Sequence, residues 1–179
     1  AELAAPEPWG EGRRVLRSYL SMTFARIQAE GLLAVSPDGS SADFDTGLLT
    51  SEGEPVHASL VAASGDIPWQ LEDFSTEGAA RAVTYVTSPA QISFDASLAS
   101  PELDGLAALL RSPRLATTAY DPIANEAVLL VPGNEGAVAL AVRPDGYQAV
   151  ASLPIPDAYV CARVTGAEQP SWLAVGIEG

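Results

Sequence analysis

The stretch Phe-Asp-Thr-Gly-Leu-Leu-Thr at residues 44–50 ends the first predicted hairpin, and the chain is organised around it. Residues 36–39 before it read Ser-Pro-Asp-Gly, a turn in which proline presets the first turn angle and glycine takes the positive φ. Apolar residues at 32–35 and 42–44 flank this turn. The sequence therefore predicts an antiparallel hairpin that closes immediately before Asp45.

A helix is predicted ahead of this hairpin, over residues 11–30. At about 100° per residue, its apolar side chains cover more than half of the helix circumference. Arg26 falls inside this apolar arc, where a guanidinium needs a carboxylate or carbonyl partner because an unpaired buried charge is strongly destabilising. We therefore predict that Arg26 and Asp45 form an ion pair or share one hydrogen-bonded network. Gly31 is the predicted end of the helix, since glycine tolerates a left-handed backbone.

The heptad Leu-Ala-Val-Ser-Pro-Asp-Gly at residues 33–39 returns at residues 140–146 as Leu-Ala-Val-Arg-Pro-Asp-Gly, which predicts a second hairpin of the same kind. Small and bulky side chains alternate in the strand predicted over residues 137–142. Because alternate side chains of a strand point to opposite faces, the alanine face of this strand lets another element approach closely.

A second helix is predicted near the middle of the chain. Ser100 and Pro101 are typical of a helix start, with a capping hydroxyl followed by proline at the first position, and the pattern ends near Arg111. Several hairpins and two helices indicate an α+β fold with a mainly antiparallel sheet. We expect residues 1–10 to be an N-terminal extension and residues 11–179 to be a single domain.

The composition excludes several classes of chemistry. The net charge of −14 combines 23 acidic residues with nine arginines and no lysine, which disfavours nucleic acid as a partner. Without lysine the sequence offers no Schiff base and no phosphate-loop lysine. His57 and Cys161 are the only histidine and cysteine, which excludes the usual zinc sites and an intrachain disulfide. The composition leaves a metal site built from oxygen ligands as the only class not excluded. We expect neither a metal nor a cofactor.

No apolar run in the sequence approaches the roughly 18 to 20 residues that cross a bilayer. The segment Ala-Glu-Leu-Ala at residues 1–4 also lacks the basic-then-apolar pattern of a secretion signal. We therefore expect a cytoplasmic protein with no membrane partner.

The chain resembles a bacterial family of domains of unknown function. The resemblance rests on Thr-Phe-Ala-Arg-Ile at residues 23–27, Phe-Asp-Thr-Gly-Leu at residues 44–48 and Ala-Tyr-Val-Cys-Ala-Arg at residues 158–163. The corresponding marks of the family are a Thr-Phe-x-Arg-Leu helix, a Phe-Asn-Thr-Gly-Leu turn and an Ala-Tyr-Asn-Asn-Ala-Arg run. Asp45 thus stands where the family has Asn, and Val-Cys replaces the Asn-Asn pair. The resemblance implies no established activity.

Three functions are compatible with these patterns. The first is a non-catalytic domain that binds a small molecule or a protein partner. Its polar cluster is either a ligand site or a structural tie between the first helix, the sheet and the C-terminal segment, and it comprises Arg26, Asp45, Thr46, Tyr159 and Arg163.

The second is a cofactor-independent enzyme acting on a small molecule, with Asp45 as general acid or base and an arginine orienting an anionic substrate. The third is a homodimeric hydrolase resembling the aspartic proteases, in which an Asp-Thr-Gly triad supplies the catalytic carboxylate. This chain has one such triad, at residues 45–47. His57, alone in a predicted strand, is interpreted as a half-buried or surface ring.

The predicted pairing of Arg26 with Asp45 has a direct test. Asp45→Ala should lower the free energy of unfolding by about 3 to 5 kcal/mol, because it leaves a buried guanidinium without its carboxylate. Asp45→Asn should cost less, since the amide oxygen still accepts a hydrogen bond. Denaturant unfolding of both variants measures these losses. Equal losses below about 0.5 kcal/mol, as for ordinary surface changes, contradict the pairing.

Overall fold

The computed structural model describes residues 3–65, 67–78, 94–166, 168–175 and 177. The chain groups into two units, one formed by residues 1–7 and 23–83 and the other by residues 8–22 and 84–179. Each unit contains a four-stranded antiparallel sheet built of hairpins. An N-terminal helix and a further helix near the middle complete the predicted α+β fold, which is confirmed. One domain over residues 11–179, after an extension over residues 1–10, stays a prediction.

The N-terminal helix begins with a 3-10 turn, Glu11–Arg13, and continues as α1, Arg14–Ala29. Its end matches the sequence prediction, because Gly31 adopts a φ of 67°. Gly31 N donates to Gln28 O at 3.1 Å and Leu32 N donates to Ile27 O at 2.9 Å. These two bonds form a Schellman motif, which satisfies carbonyl groups that the last helical turn leaves open.

The sheet of the first unit has the strand order β1-β2-β3-β4. One face is apolar: Phe44, Ala58 and Leu60 are buried on it, and the Phe24 ring of α1 lies 5.5 Å from the Phe44 ring. The first hairpin forms as predicted, with Gly39 at a φ of 70° in its turn, but its second strand continues past the predicted end at Phe44 to Leu49. The strands are β1 Ala34–Val35, β2 Ser41–Leu49, β3 Pro55–Ala62 and β4 Trp69–Ser75.

The sheet of the second unit has the order β5-β6-β7-β8, a meander of sequential hairpins. The repeated heptad at residues 140–146 forms its last hairpin, as the sequence predicted. Among the described residues from 94 onward, the elements of this unit are α2 Leu106–Arg111, β5 Thr117–Asp121, β6 Glu126–Pro132, β7 Ala137–Arg143, β8 Gly146–Leu153, α3 Ile155–Arg163 and α4 Ser171–Val175, with 3-10 turns at Ala96–Leu98 and Pro113–Leu115.

Strand β6 is buried on both faces, with Val128, Leu129, Leu130 and Val131 at most 1% exposed. Its odd-numbered face packs with Leu109 of α2 in an apolar cluster of this unit. Its even-numbered face carries Val128 and Leu130 on the opposite side of the sheet. A continuous apolar run is therefore required here, because this strand has no solvated face.

Helix α2 begins at Leu106, so the predicted start at Pro101 is wrong. Gly105 precedes the helix with a φ of 73° and a left-handed backbone, which interrupts any continuous helix from Pro101. A Cβ at Gly105 would collide with the carbonyl oxygen of Pro132, at the end of β6. The close contact between the start of α2 and this strand end therefore requires glycine.

The Gly105 contact generates a prediction with a matched control. Gly12 has a similar φ of 63°, but a Cβ there would meet nothing within 4 Å. Gly12→Ala should cost about 1 to 2 kcal/mol of unfolding free energy, the penalty for a left-handed alanine. Gly105→Ala should cost about 3 kcal/mol or more, because backbone displacement is added to that penalty. Chemical denaturation gives both values, and equal losses contradict the close-contact explanation.

Candidate functional site

The Phe-Asp-Thr-Gly segment forms a bulge in β2. Pairing passes from Asp45 opposite His57 to Leu48 opposite Val56, so two residues of β2 are inserted between successive pairs. Asp45 Oδ1 accepts a hydrogen bond from Gly47 N at 2.8 Å, and Thr46 Oγ1 accepts one from Leu48 N at 3.2 Å. Thr46 Oγ1 also donates to Val56 O at 2.6 Å. The two polar side chains thus hold an irregular piece of backbone.

A row of three polar residues crosses the first sheet next to this bulge. Asp45 lies opposite His57, and His57 lies opposite Ser75, so the three side chains share one face. His57 is 6% exposed, and its Nδ1 has no hydrogen-bond partner in the described part of the chain. Gly78 packs on the imidazole so closely that a Cβ would collide with it. Ser75 Oγ donates to Glu77 O at 2.5 Å.

Sequence reasoning treated His57 as an isolated strand histidine and missed this row. Finding it requires the pairing register of three strands. That register depends on the bulge at residues 45–48 and on a second irregularity between Ser59 and Leu60. Neither irregularity can be predicted from the alternation of apolar and polar residues along the strands.

Arg26 is 9% exposed, in agreement with its position in the apolar arc of α1. Its Nη2 forms an ion pair with Glu30 Oε1 at 2.5 Å, one helical turn further along. Asp45 is 6% exposed and belongs to the same unit. The pairing of Arg26 with Asp45 stays a prediction, and the Asp45 variants described above test it.

Tyr159 and Arg163, the other two predicted site residues, belong to an aromatic cluster of the second unit. The Trp9 ring lies 5.3 Å from the Tyr19 ring and 5.9 Å from the Tyr159 ring. The Arg163 guanidinium carbon lies 5.1 Å from the Tyr19 ring centroid, and its Nη1 donates to the Tyr19 hydroxyl at 3.4 Å. Tyr159 is 3% exposed and Arg163 is 4% exposed. Cation–π attraction and burial thus hold α3 to the first part of α1.

The second unit also contains a cavity of about 360 Å³ with a predominantly apolar wall. One side is the sheet face that carries Leu130, Ala139 and Ala151, which lie opposite one another on three adjacent strands. The other side includes Val160 and Cys161 of α3. The volume falls within the range of about 300 to 1,000 Å³ that small-molecule sites occupy.

Cys161 lies in the cavity wall as a free thiol and is 6% exposed. Its pKa is raised to about 11, mainly by burial and also by charge repulsion of the thiolate by the carboxylates of Asp157 and Asp121. The thiol is therefore protonated at neutral pH, when it is a poor nucleophile. Asp121 and Asp157 themselves line the cavity.

Sequence reasoning did not predict this cavity, although one of its observations bears on it. The alternation of small and bulky residues over residues 137–142 indicated an alanine face open to a second element. Ala139 is on that face and lines the cavity with Ala151 on the adjacent strand β8 and Ala119 on β5. Three alanines on one face leave room that larger side chains would fill.

The described residues contain no group of three or more His, Cys, Asp or Glu side chains placed to hold a metal ion. None of the helices in this part of the chain is long and apolar enough to span a membrane.

No curated protein and no solved structure matches the chain. The family described as Domain of unknown function (DUF3825) matches residues 1–108, more than half of the 179 residues. The match includes all described residues of the first unit, whereas most residues that line the cavity lie beyond it. The predicted membership of a family of domains of unknown function is thus confirmed: the chain belongs to the DUF3825 family.

Proposed function

We propose that this chain is a non-catalytic binding domain, and that its ligand is a small, mainly apolar molecule held in the cavity of the second unit. The observation that carries the proposal is the cavity itself, about 360 Å³ and lined by residues of the four strands β5 to β8, of α3 and of α1. This volume lies within the range of about 300 to 1,000 Å³ that small-molecule sites occupy. An apolar space of this size is therefore a candidate for occupation by a ligand.

The chemistry of the cavity wall favours binding over catalysis. Its thiol is protonated at neutral pH because burial raises the pKa of Cys161 to about 11. The sole histidine, His57, belongs to the other unit, so no imidazole lines this cavity. Nucleophilic catalysis needs an activated nucleophile with a base beside it. The wall offers apolar contact instead.

The enzymatic alternative, with Asp45 as general acid or base, is supported by the row that places Asp45, His57 and Ser75 on one sheet face. Two contacts weigh against it. Asp45 Oδ1 accepts the Gly47 N–H, and Ser75 Oγ donates to a backbone carbonyl instead of the imidazole. A protease-like use of the Asp-Thr-Gly triad meets the same objection, since Oδ1 of its carboxylate already accepts the N–H of Gly47 in the bulge. We therefore rank both below binding.

The proposal predicts that an uncharged apolar fluorophore such as N-phenylnaphthylamine binds the chain and that filling the cavity prevents it. Ala151→Leu adds bulk to the cavity wall and should weaken binding by about tenfold or more, equivalent to about 1.4 kcal/mol. Ala149→Leu, an exposed position on the same strand outside the cavity wall, is the matched control and should leave affinity unchanged. Fluorescence titration measures affinity, and circular dichroism checks that both variants fold.

The single cysteine provides a second readout. Alkylation of Cys161 should be slow at pH 7.5 and accelerate about tenfold per pH unit towards pH 11, because only the thiolate reacts. At pH 9 the fluorophore should slow this alkylation, since it covers the wall that carries the thiol. Fluorophore binding of equal strength in native chain and Ala151→Leu, with no protection of Cys161, overturns the proposal.

A further inference from the structure

We infer that the ligand of this cavity is a small organic cation, an apolar body that ends in an ammonium group. The inference rests on the proposed function, because it names the chemical class of the molecule that the cavity holds. It is carried by the distribution of charge around the cavity wall.

Two carboxylates line the cavity and no cationic side chain does. Asp121, at the end of β5, and Asp157, in the first turn of α3, are its only charged lining residues among those that the structure describes. Their negative potential has no arginine in the wall to offset it, and the chain contains no lysine. An apolar cavity whose wall carries carboxylates alone favours positive charge, since no cation in the wall offsets their negative potential.

The two carboxylates retain acceptor capacity for a ligand. Asp121 Oδ1 accepts hydrogen bonds from Ile123 N at 2.8 Å and Ala124 N at 3.3 Å, which fixes the carboxylate and leaves Oδ2 to accept from an ammonium group. Asp157 has no hydrogen bond or ion pair with any other described side chain. Asp157 is exposed and Asp121 is half-buried, so both carboxylates are accessible from solvent while they line the cavity.

A third polar group faces the same space. The Cys161 side chain is more than nine-tenths buried, is not in a disulfide, and lines the cavity together with both aspartates. Its protonated thiol is neutral, so it adds no positive charge to the wall. The apolar contacts therefore hold the body of the ligand, while the two carboxylates bind its ammonium group.

The alternative role of Asp157 is local, because an acidic side chain near the start of a helix is stabilising through the helix dipole. That role affects the stability of α3 and does not distinguish ligands by charge. A comparison of ligands that differ only in charge therefore separates the two roles.

The experiment uses three ligands of matched length: heptylamine, heptanol and heptanoate. Each competes with N-phenylnaphthylamine for the native chain at pH 7.5. Heptylamine should compete about tenfold better than heptanol, and heptanoate should compete worse than either. Salt at 0.5 M should reduce the preference for the amine over the alcohol, because it screens the charges. Asp121→Asn and Asp157→Asn should each lower the preference for amine over alcohol. Asp145→Asn, an exposed carboxylate outside the cavity wall, controls for the change in net charge.

The outcomes separate this inference from the proposed function. If the fluorophore and all three competitors fail to bind, both the proposed binding function and the inference of a cationic ligand are wrong. If heptanol competes as well as heptylamine, or if Asp145→Asn reduces the amine preference as much as the cavity variants do, the binding function stands and the inference of a cationic ligand is wrong. Loss of folding in one aspartate variant, seen by circular dichroism, leaves the other variant and the native-chain ligand series to decide.

Discussion

Burial of β6 on both faces is the constraint on which the second unit depends. Four consecutive apolar side chains, Val128 to Val131, are removed from water, two on each side of the sheet. Each fully buried residue of this kind contributes roughly 1.5 to 3 kcal/mol relative to exposure. Elements must therefore cover both faces. Helix α2 covers one with Leu109, and α3 faces the other, where the alanines of adjacent strands leave the cavity.

The first unit depends on a different device, a bulge whose backbone is held by the side chains of Asp45 and Thr46. Buried backbone N–H groups are costly when they lack an acceptor. Here Asp45 Oδ1 and Thr46 Oγ1 accept from Gly47 N and Leu48 N. The two polar residues of the Asp-Thr-Gly motif, which resembles that of the aspartic proteases, thus have a local structural role. The same bulge sets the register that places His57 beside Asp45.

The contrast between the two units explains why the candidate sites differ in kind. In the first unit the polar groups are used by backbone hydrogen bonds, whereas in the second unit an apolar space is bordered by carboxylates. Burial keeps Cys161 protonated, so the one thiol of the chain behaves as an apolar wall group. This arrangement favours recognition of a ligand by shape and charge over its chemical conversion.

The sequence by itself determined the element types, because hydrophobic periodicity and turn chemistry are local properties. It predicted the α+β class, the end of α1 at Gly31, and both hairpins with Pro-Asp-Gly turns. It also predicted that Arg26 is buried, since a position on a helix face follows from spacing alone. It placed the start of α2 too early. The helix starts after Gly105, whose left-handed backbone lies against the carbonyl oxygen of Pro132, a residue distant in the sequence.

Only the tertiary structure decided which side chains meet. The ion pair of Arg26 with Glu30 depends on the rotamers of two long side chains. Their spacing of four residues along the helix allows this pair but does not determine the rotamers. The row of Asp45, His57 and Ser75 depends on register across three strands. The cavity depends on how far α3 stands from three alanines that are separated by many residues along the chain. A void is a property of packing in three dimensions, so no local pattern of residues specifies it.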